Sequence, residues 1–152
     1  KCAWLREECG FDVALDYRAD DVAAGLALAA PDGIDLFFDN VGGWQMVTAF
    51  HHMRIHGRIS MCGAVSNFGS ADQPSLAELI EIVLRRVTIR GFIVRDFEHL
   101  RPQFEEQVSG WLASGELVDR VTIFEGIENA GAGLEGLLNG ANLGKALVRL
   151  SD

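Results

Sequence analysis

The sequence predicts an α/β fold: a parallel β-sheet wound on both faces by helices. Two observations predict it. Short β-rich runs alternate with amphipathic stretches along the whole chain, the pattern of a doubly wound sheet with right-handed crossovers. The run Ile34-Asp35-Leu36-Phe37-Phe38-Asp39 is nearly all apolar, as in a strand buried on both faces. With 152 residues and 16.6 kDa, the chain has the size of one ordinary domain.

The elements follow in order. Cys2 to Cys9 reads as the end of a helix, with Gly10 as its left-handed terminator. Val13-Ala14-Leu15-Asp16-Tyr17 reads as a short strand. Asp20 and Asp21 stand where an N-cap and first turn belong, ahead of an Ala-rich helix to about Ala30. Pro31-Asp32-Gly33 is a turn before the buried strand. Asn40-Val41-Gly42-Gly43 ends that strand, and a helix from Trp44 to about Met53 follows. Gly57 to Gly63 is another buried strand. A polar loop, Ser66 to Pro74, leads to a helix whose stripe is Leu76, Leu79, Ile80, Val83 and Leu84. Val87 to Val94 is a fourth strand. Pro102 sits in the first turn of a helix with the stripe Phe104, Val108, Trp111 and Leu112, read as core. Val121–Phe124 and Ala146–Leu150 are strands around a helix from about Glu128 to Leu138. These last two strands break the rhythm and are expected to leave the main sheet.

Composition excludes several classes. The chain is 49% hydrophobic and 23% charged, so it has material for a core and is not disordered. A formal net charge of −9, with no basic block, argues against nucleic acid or an anionic membrane as partner. No apolar run approaches the roughly 18 residues of a membrane span. Lys1 to Arg6 shows no signal-peptide pattern. Three scattered cysteines, Cys2, Cys9 and Cys62, read as buried thiols of a reducing cytoplasm.

Open parallel sheets bind ligands beyond the carboxyl ends of their strands. Those ends offer Tyr17 with Arg18, Asp39 with Asn40, Cys62-Gly63-Ala64, and Phe92-Ile93-Val94. Glycine at two exits lets backbone approach a flat ligand, and such an edge suits a nucleotide; a plain turn is the alternative for each glycine. The edge has no paired carboxylates, nucleophile or base. His52 and His56 are spaced i, i+4 like a metal pair, but the neighbouring Glu of a His-Glu-x-x-His motif is missing. A solvated helix end near Gly57 is the better reading for His51, His52 and His56. Ser66 has no triad context.

Four segments, Phe38-Asp39-Asn40-Val41-Gly42-Gly43, His56 to Ser66, Gly91-Phe92-Ile93-Val94 and Gly140 to Lys145, resemble in order and spacing the zinc-independent medium-chain dehydrogenase/reductases. Among these, the prostaglandin reductase (leukotriene B4 12-hydroxydehydrogenase) group of NADP-dependent oxidoreductases is the branch they resemble. The resemblance implies a partial Rossmann-like sheet lacking its first two strands, with strand order 3-2-1-4-5-6 in the intact family. The two strands missing between the first two seen here would leave a gap of roughly 10–15 Å, at about 4.8 Å per strand step. The chain is therefore expected to be a fragment. Residues 1–100 would form an incomplete dinucleotide-binding domain, and residues 101–152 would return toward an absent GroES-like catalytic domain. A homo-oligomer is one way to cover the exposed surface.

The same resemblance implies the site. Lys1 matches the Lys that contacts the adenosine 2′-phosphate, which favours NADP(H), and Tyr17 matches the Tyr flanking that phosphate and ribose. Asn40 matches an Asn near the cofactor. Cys62, Gly63 and Ala64 match the backbone strip beside the pyrophosphate and nicotinamide ribose. Phe92, Ile93 and Val94 border the nicotinamide, and Asn142 is a late contact. Phe68 replaces a Tyr found in many relatives; a phenyl ring cannot polarise a carbonyl or donate a proton, so either that role is filled otherwise or substrate choice differs, and the plain alternative is a hydrophobic wall of the substrate pocket. No catalytic residue is assigned and no metal is expected. The implied reaction is NADPH-dependent reduction of the double bond of α,β-unsaturated ketones or aldehydes. Quinone reduction within the same superfamily, or a non-enzymatic binding module, are the alternatives. The 152 residues alone are expected neither to reduce an enone nor to bind NADPH tightly.

Overall fold

A computed structural model describes residues 1–65 and 80–150. They form two compact units: Leu15–Arg101, and Lys1–Ala14 together with Pro102–Asp152.

In the unit Leu15–Arg101, helix α2 (Val22–Ala29; α1 belongs to the other unit) is followed by strand β1 (Ile34–Asp39), helix α3 (Gly43–His52) and strand β2 (Met53–Met61). Helix α4 (Ile80–Arg85), strand β3 (Thr88–Gly91) and a 3-10 stretch (Val94–Leu100) complete it. The strands form one parallel sheet in the order β1-β2-β3. Asp21, not Asp20, caps α2: its Oδ1 accepts the Ala24 N–H at 3.0 Å. Asp20 instead accepts the Asp16 N–H at 2.6 Å.

The core lies between the sheet and α3. Phe50, Met53 and Ile59 are each 1% exposed, and Met46 and Val87 join them. α3 packs on β1, α4 on β2, and α2 and α4 both on α3. β1 is not buried on both faces as expected: Leu36 and Phe38 remain exposed, because among the described residues too little packs on that side to cover them. α3 and β2 meet without a linker, so the helix ends one residue earlier than expected and the strand starts four residues earlier. The register reflects this junction: Ile34 faces Met53, but Leu36 already faces Arg58. The extra residues bulge out, with His56 at φ 66.

The other unit holds helix α1 (Cys2–Glu7), most of helix α5 (Arg101–Ser114), strand β4 (Val121–Glu125), helix α6 (Ala130–Leu138) and strand β5 (Lys145–Arg149). β4 and β5 leave the main sheet, as expected, and pair with each other in parallel, with α6 as the crossover packed on β5. Gly10 has the positive φ of a helix terminator, 73.

Four further expectations are corrected. Residues 13–17 form no strand: among the described residues nothing pairs with them, and an extended run without a neighbour has no ladder. The Trp111 stripe is not core, since Phe104, Trp111 and Leu112 are exposed. Val83 and Leu84 of the preceding stripe are likewise exposed. Of the thiols, Cys62 is exposed and Cys2 and Cys9 are half-buried. The loop Ser66 to Pro74, with Phe68, and the helix positions Leu76 and Leu79 lie outside the described residues.

Two outcomes follow from this packing. Ile59→Ala should cost about 2–5 kcal/mol, because the emptied space lies in the buried cluster that Ile59 shares with Phe50 and Met53; chemical denaturation measures it. Asp21→Ala should cost about 1 kcal/mol, the usual value of a lost N-cap, with Asp21→Asn near wild type in the same measurement.

Candidate dinucleotide-binding edge

The carboxyl ends of β1, β2 and β3 are joined by backbone hydrogen bonds. Asp39 O accepts from Cys62 N at 2.8 Å and Gly63 N at 3.3 Å, and Met61 O accepts from Phe92 N at 3.2 Å. Asn40 O accepts from Val65 N at 3.5 Å. The predicted residues Asn40, Cys62, Gly63, Ala64, Phe92 and Ile93 thus share one edge. Val94 follows directly and opens the 3-10 stretch. A cavity of about 390 Å³ opens there, lined by Met61, Cys62, Gly63, Ala64, Gly91, Phe92, Ile93 and Asp96.

Each position has a local cause. A Cβ on Gly63 would stand 3.1 Å from Asn40 O, so glycine lets the two exits close on each other and leaves a flat backbone strip. Asp39 is 2% exposed. Its Oδ1 accepts the N–H groups of Val41 at 2.8 Å and Gly42 at 2.9 Å, holding the turn into α3. Gly42 sits at φ 70, ψ −152, a region essentially reserved for glycine. The Phe92 ring packs between Phe38 and Phe97, at centroid distances of 6.0 and 5.9 Å. This anchors the backbone of 92–94 while Ile93 and Val94 stay exposed.

Tyr17 is exposed and lies 6.5 Å, ring to ring, from Trp44, with the Arg18 guanidinium 5.6 Å from its centroid. Tyr17 and Trp44 border an apolar pocket of about 210 Å³ that includes Leu15, Ile34 and Phe37. Trp44 and Asp96 were not singled out from sequence. Trp44 carried a signal, since it directly follows the Gly42-Gly43 exit, whereas Asp96 carried none. Lys1 and Asn142 belong to the other unit. Asn142 is 8% exposed, and its Nδ2 donates to Gly144 O at 2.7 Å.

A larger cavity, about 520 Å³, flanks the amino ends of β1 and β2 and includes His51, His52, Arg54 and Arg85. Its two arginines and His52 are already engaged. Arg54 pairs with Asp35, Arg85 with Glu81, and His52 Nδ1 contacts Thr48 O at 2.9 Å. In a parallel sheet the carboxyl edge is the ligand side, so that edge is the candidate site. α3 ends at His52 and His56 lies in β2, so the two do not share a helix face. Among the described residues, no three His, Cys, Asp or Glu side chains are grouped to hold a metal ion. None of the helices there is long and apolar enough to cross a membrane.

Known proteins match along nearly the whole chain. It is 34% identical over 148 residues to the 2-alkenal reductase (NADP(+)-dependent) of Nicotiana tabacum, covering 97% of this chain and 43% of that protein. It is 34% identical over 157 residues to the NADPH-dependent curcumin reductase of Escherichia coli, covering 99% of this chain and 46% of that protein. The crystal structure of CurA in complex with NADPH from Vibrio vulnificus superposes with a TM-score of 0.90 at 31% identity, over 99% of this chain and 47% of that one. The chain thus spans less than half the length of these relatives. The zinc-binding dehydrogenase family model matches residues 1–114. With its parallel nucleotide-type sheet and its NADP-dependent relatives, the chain belongs to the zinc-binding dehydrogenase family.

Proposed function

We propose that the chain is the dinucleotide-binding part of an NADPH-dependent reductase acting on the carbon–carbon double bond of α,β-unsaturated ketones and aldehydes. The observation that carries this reading is the joined exit edge of Asn40, Gly63 and Phe92 beside its cavity. The printed activities of the alkenal and curcumin reductases support it. On this reading residues 1–100 are an incomplete dinucleotide-binding domain, and residues 101–152 return toward a catalytic domain.

The edge suits the cofactor. The strip Cys62-Gly63-Ala64 would lie beside the pyrophosphate and nicotinamide ribose, and Gly63 permits the close approach. Backbone groups of Phe92, Ile93 and Val94 would hold the carboxamide. Ile93 O also accepts from Asp96 N at 3.1 Å, which fixes the backbone there and leaves the carbonyl a second lone pair. Tyr17 would flank the 2′-phosphate and ribose, Lys1 would supply charge to the phosphate, Asn40 would contact the cofactor at the exit of β1, and Asn142 would be a late contact. Phe68 would wall the substrate pocket. When bound, NADPH supplies the hydride that goes to the β-carbon, and a proton then completes the α-carbon. The protein's share is position and electrostatics. The described residues do not fit a zinc ion, so no step is routed through one. A small-molecule substrate, a homo-oligomer and a cytoplasmic setting belong to the same reading; the free thiols suit a reducing compartment.

Steady-state NADPH oxidation by the full encoded protein tests the function. An enone should be reduced with a kcat/KM above that for a quinone, and NADPH should be preferred to NADH. The reverse substrate order would make the protein a quinone reductase, and no NADPH-induced thermal shift would make it a binding module. The 152 residues by themselves should show no enone turnover; ready turnover would overturn the expectation that they are incomplete. In the full protein, Gly63→Val should raise the KM for NADPH about tenfold or more, since small misplacements of bound groups carry such penalties.

A further inference from the structure

We infer that Asp39 is a positioning residue for the dinucleotide edge, acting through the Val41-Gly42 turn and the Cys62-Gly63 strip rather than on substrate. This rests on the proposed NADPH-binding role of that edge. Asp39 is the last residue of β1 and links both exits. Its side chain holds the turn before α3 by two N–H bonds, at 2.8 and 2.9 Å, both to Oδ1. Its main-chain oxygen receives Cys62 N and Gly63 N from β2. Oδ2 is buried and has no hydrogen-bond partner among the described residues.

A buried carboxylate with one idle oxygen is not the cheapest way to cap a turn. What it supplies is two bonds from one oxygen, which clamp Gly42 in its glycine-only conformation. Released from the clamp, the turn could relax toward ordinary dihedrals. The β1 exit would then move against Gly63, where an added Cβ would stand only 3.1 Å from Asn40 O. Because Oδ1 alone makes both bonds, an asparagine can make them too, whereas alanine can make neither.

The test compares Asp39→Ala and Asp39→Asn in the full encoded protein. NADPH affinity is read by nicotinamide fluorescence, together with kcat, KM and thermal midpoint. Asp39→Ala should weaken NADPH binding and raise its KM about tenfold or more, with the enone KM unchanged at saturating NADPH. Asp39→Asn should restore affinity to within about threefold of wild type, as the retained bonds predict. A purely structural role would lower the thermal midpoint and leave affinity unchanged, which would overturn the inference. So would an Asp39→Asn protein as weak as Asp39→Ala, because charge rather than the two bonds would then matter. If Asp39→Ala is not recovered folded, Gly42→Ala strains the same turn from the backbone side; it should weaken NADPH binding likewise, and wild-type affinity there refutes the inference. A wild-type protein that binds NADPH but reduces no enone sinks the enone reading and leaves this one standing. Absence of NADPH binding sinks both.

Discussion

The carboxylate of Asp39 joins the core of the sheet to its carboxyl edge. It ends the strand that packs against α3, and it accepts from the turn that starts α3. The helix it launches carries Met46 and Phe50 into the core. Through its carbonyl the same residue ties down the exit of β2. Burying a carboxylate costs several kcal/mol unless hydrogen bonds compensate. The site geometry and the helix placement therefore depend on the same few bonds.

The sheet is irregular at one end and regular at the other. At the amino end of β2 the chain passes from helix to strand without a linker, and the register jumps. At the carboxyl end the pairing is regular from Leu36–Arg58 to Asp39–Met61, and from Arg58–Thr88 to Met61–Gly91. The register is thus irregular at the amino ends of β1 and β2 and regular at the carboxyl ends of all three strands. Apolar surface is distributed unevenly as well. The described core is small, while Leu36 and Phe38 on β1, and Val121, Ile123 and Leu147 on the β4–β5 pair, remain exposed. Such faces mark surfaces that other chain or partner atoms commonly cover.

Much of this was legible in the residues. The Asp21 cap, the Gly10 terminator and Pro102 in the first turn of α5 each act through neighbours a few positions away. The exit residues could be named because a parallel sheet puts its ligand side at the strand ends. Two readings failed for a common reason. Residues 13–17 have the composition of a strand, and Phe104 and Trp111 the spacing of a buried stripe, yet the first has no ladder partner among the described residues and the second is exposed. Periodicity says which side chains share a face; it does not say whether anything packs on that face.

By itself the sequence determined the alternation of elements, the parallel α/β class, the glycine-lined exits and the motifs that connect this chain to NADP-dependent relatives. These are local or compositional properties, set by neighbours in the chain and by side-chain chemistry. Only the tertiary structure decided the β1–β2 register, the pairing of β4 with β5, the exposure of Cys62 and the role of a single Asp39 oxygen in holding two backbone N–H groups. Each of these depends on groups brought together by folding, and hydrophobic pattern carries no record of which distant partner a face, a strand or a carboxylate will meet.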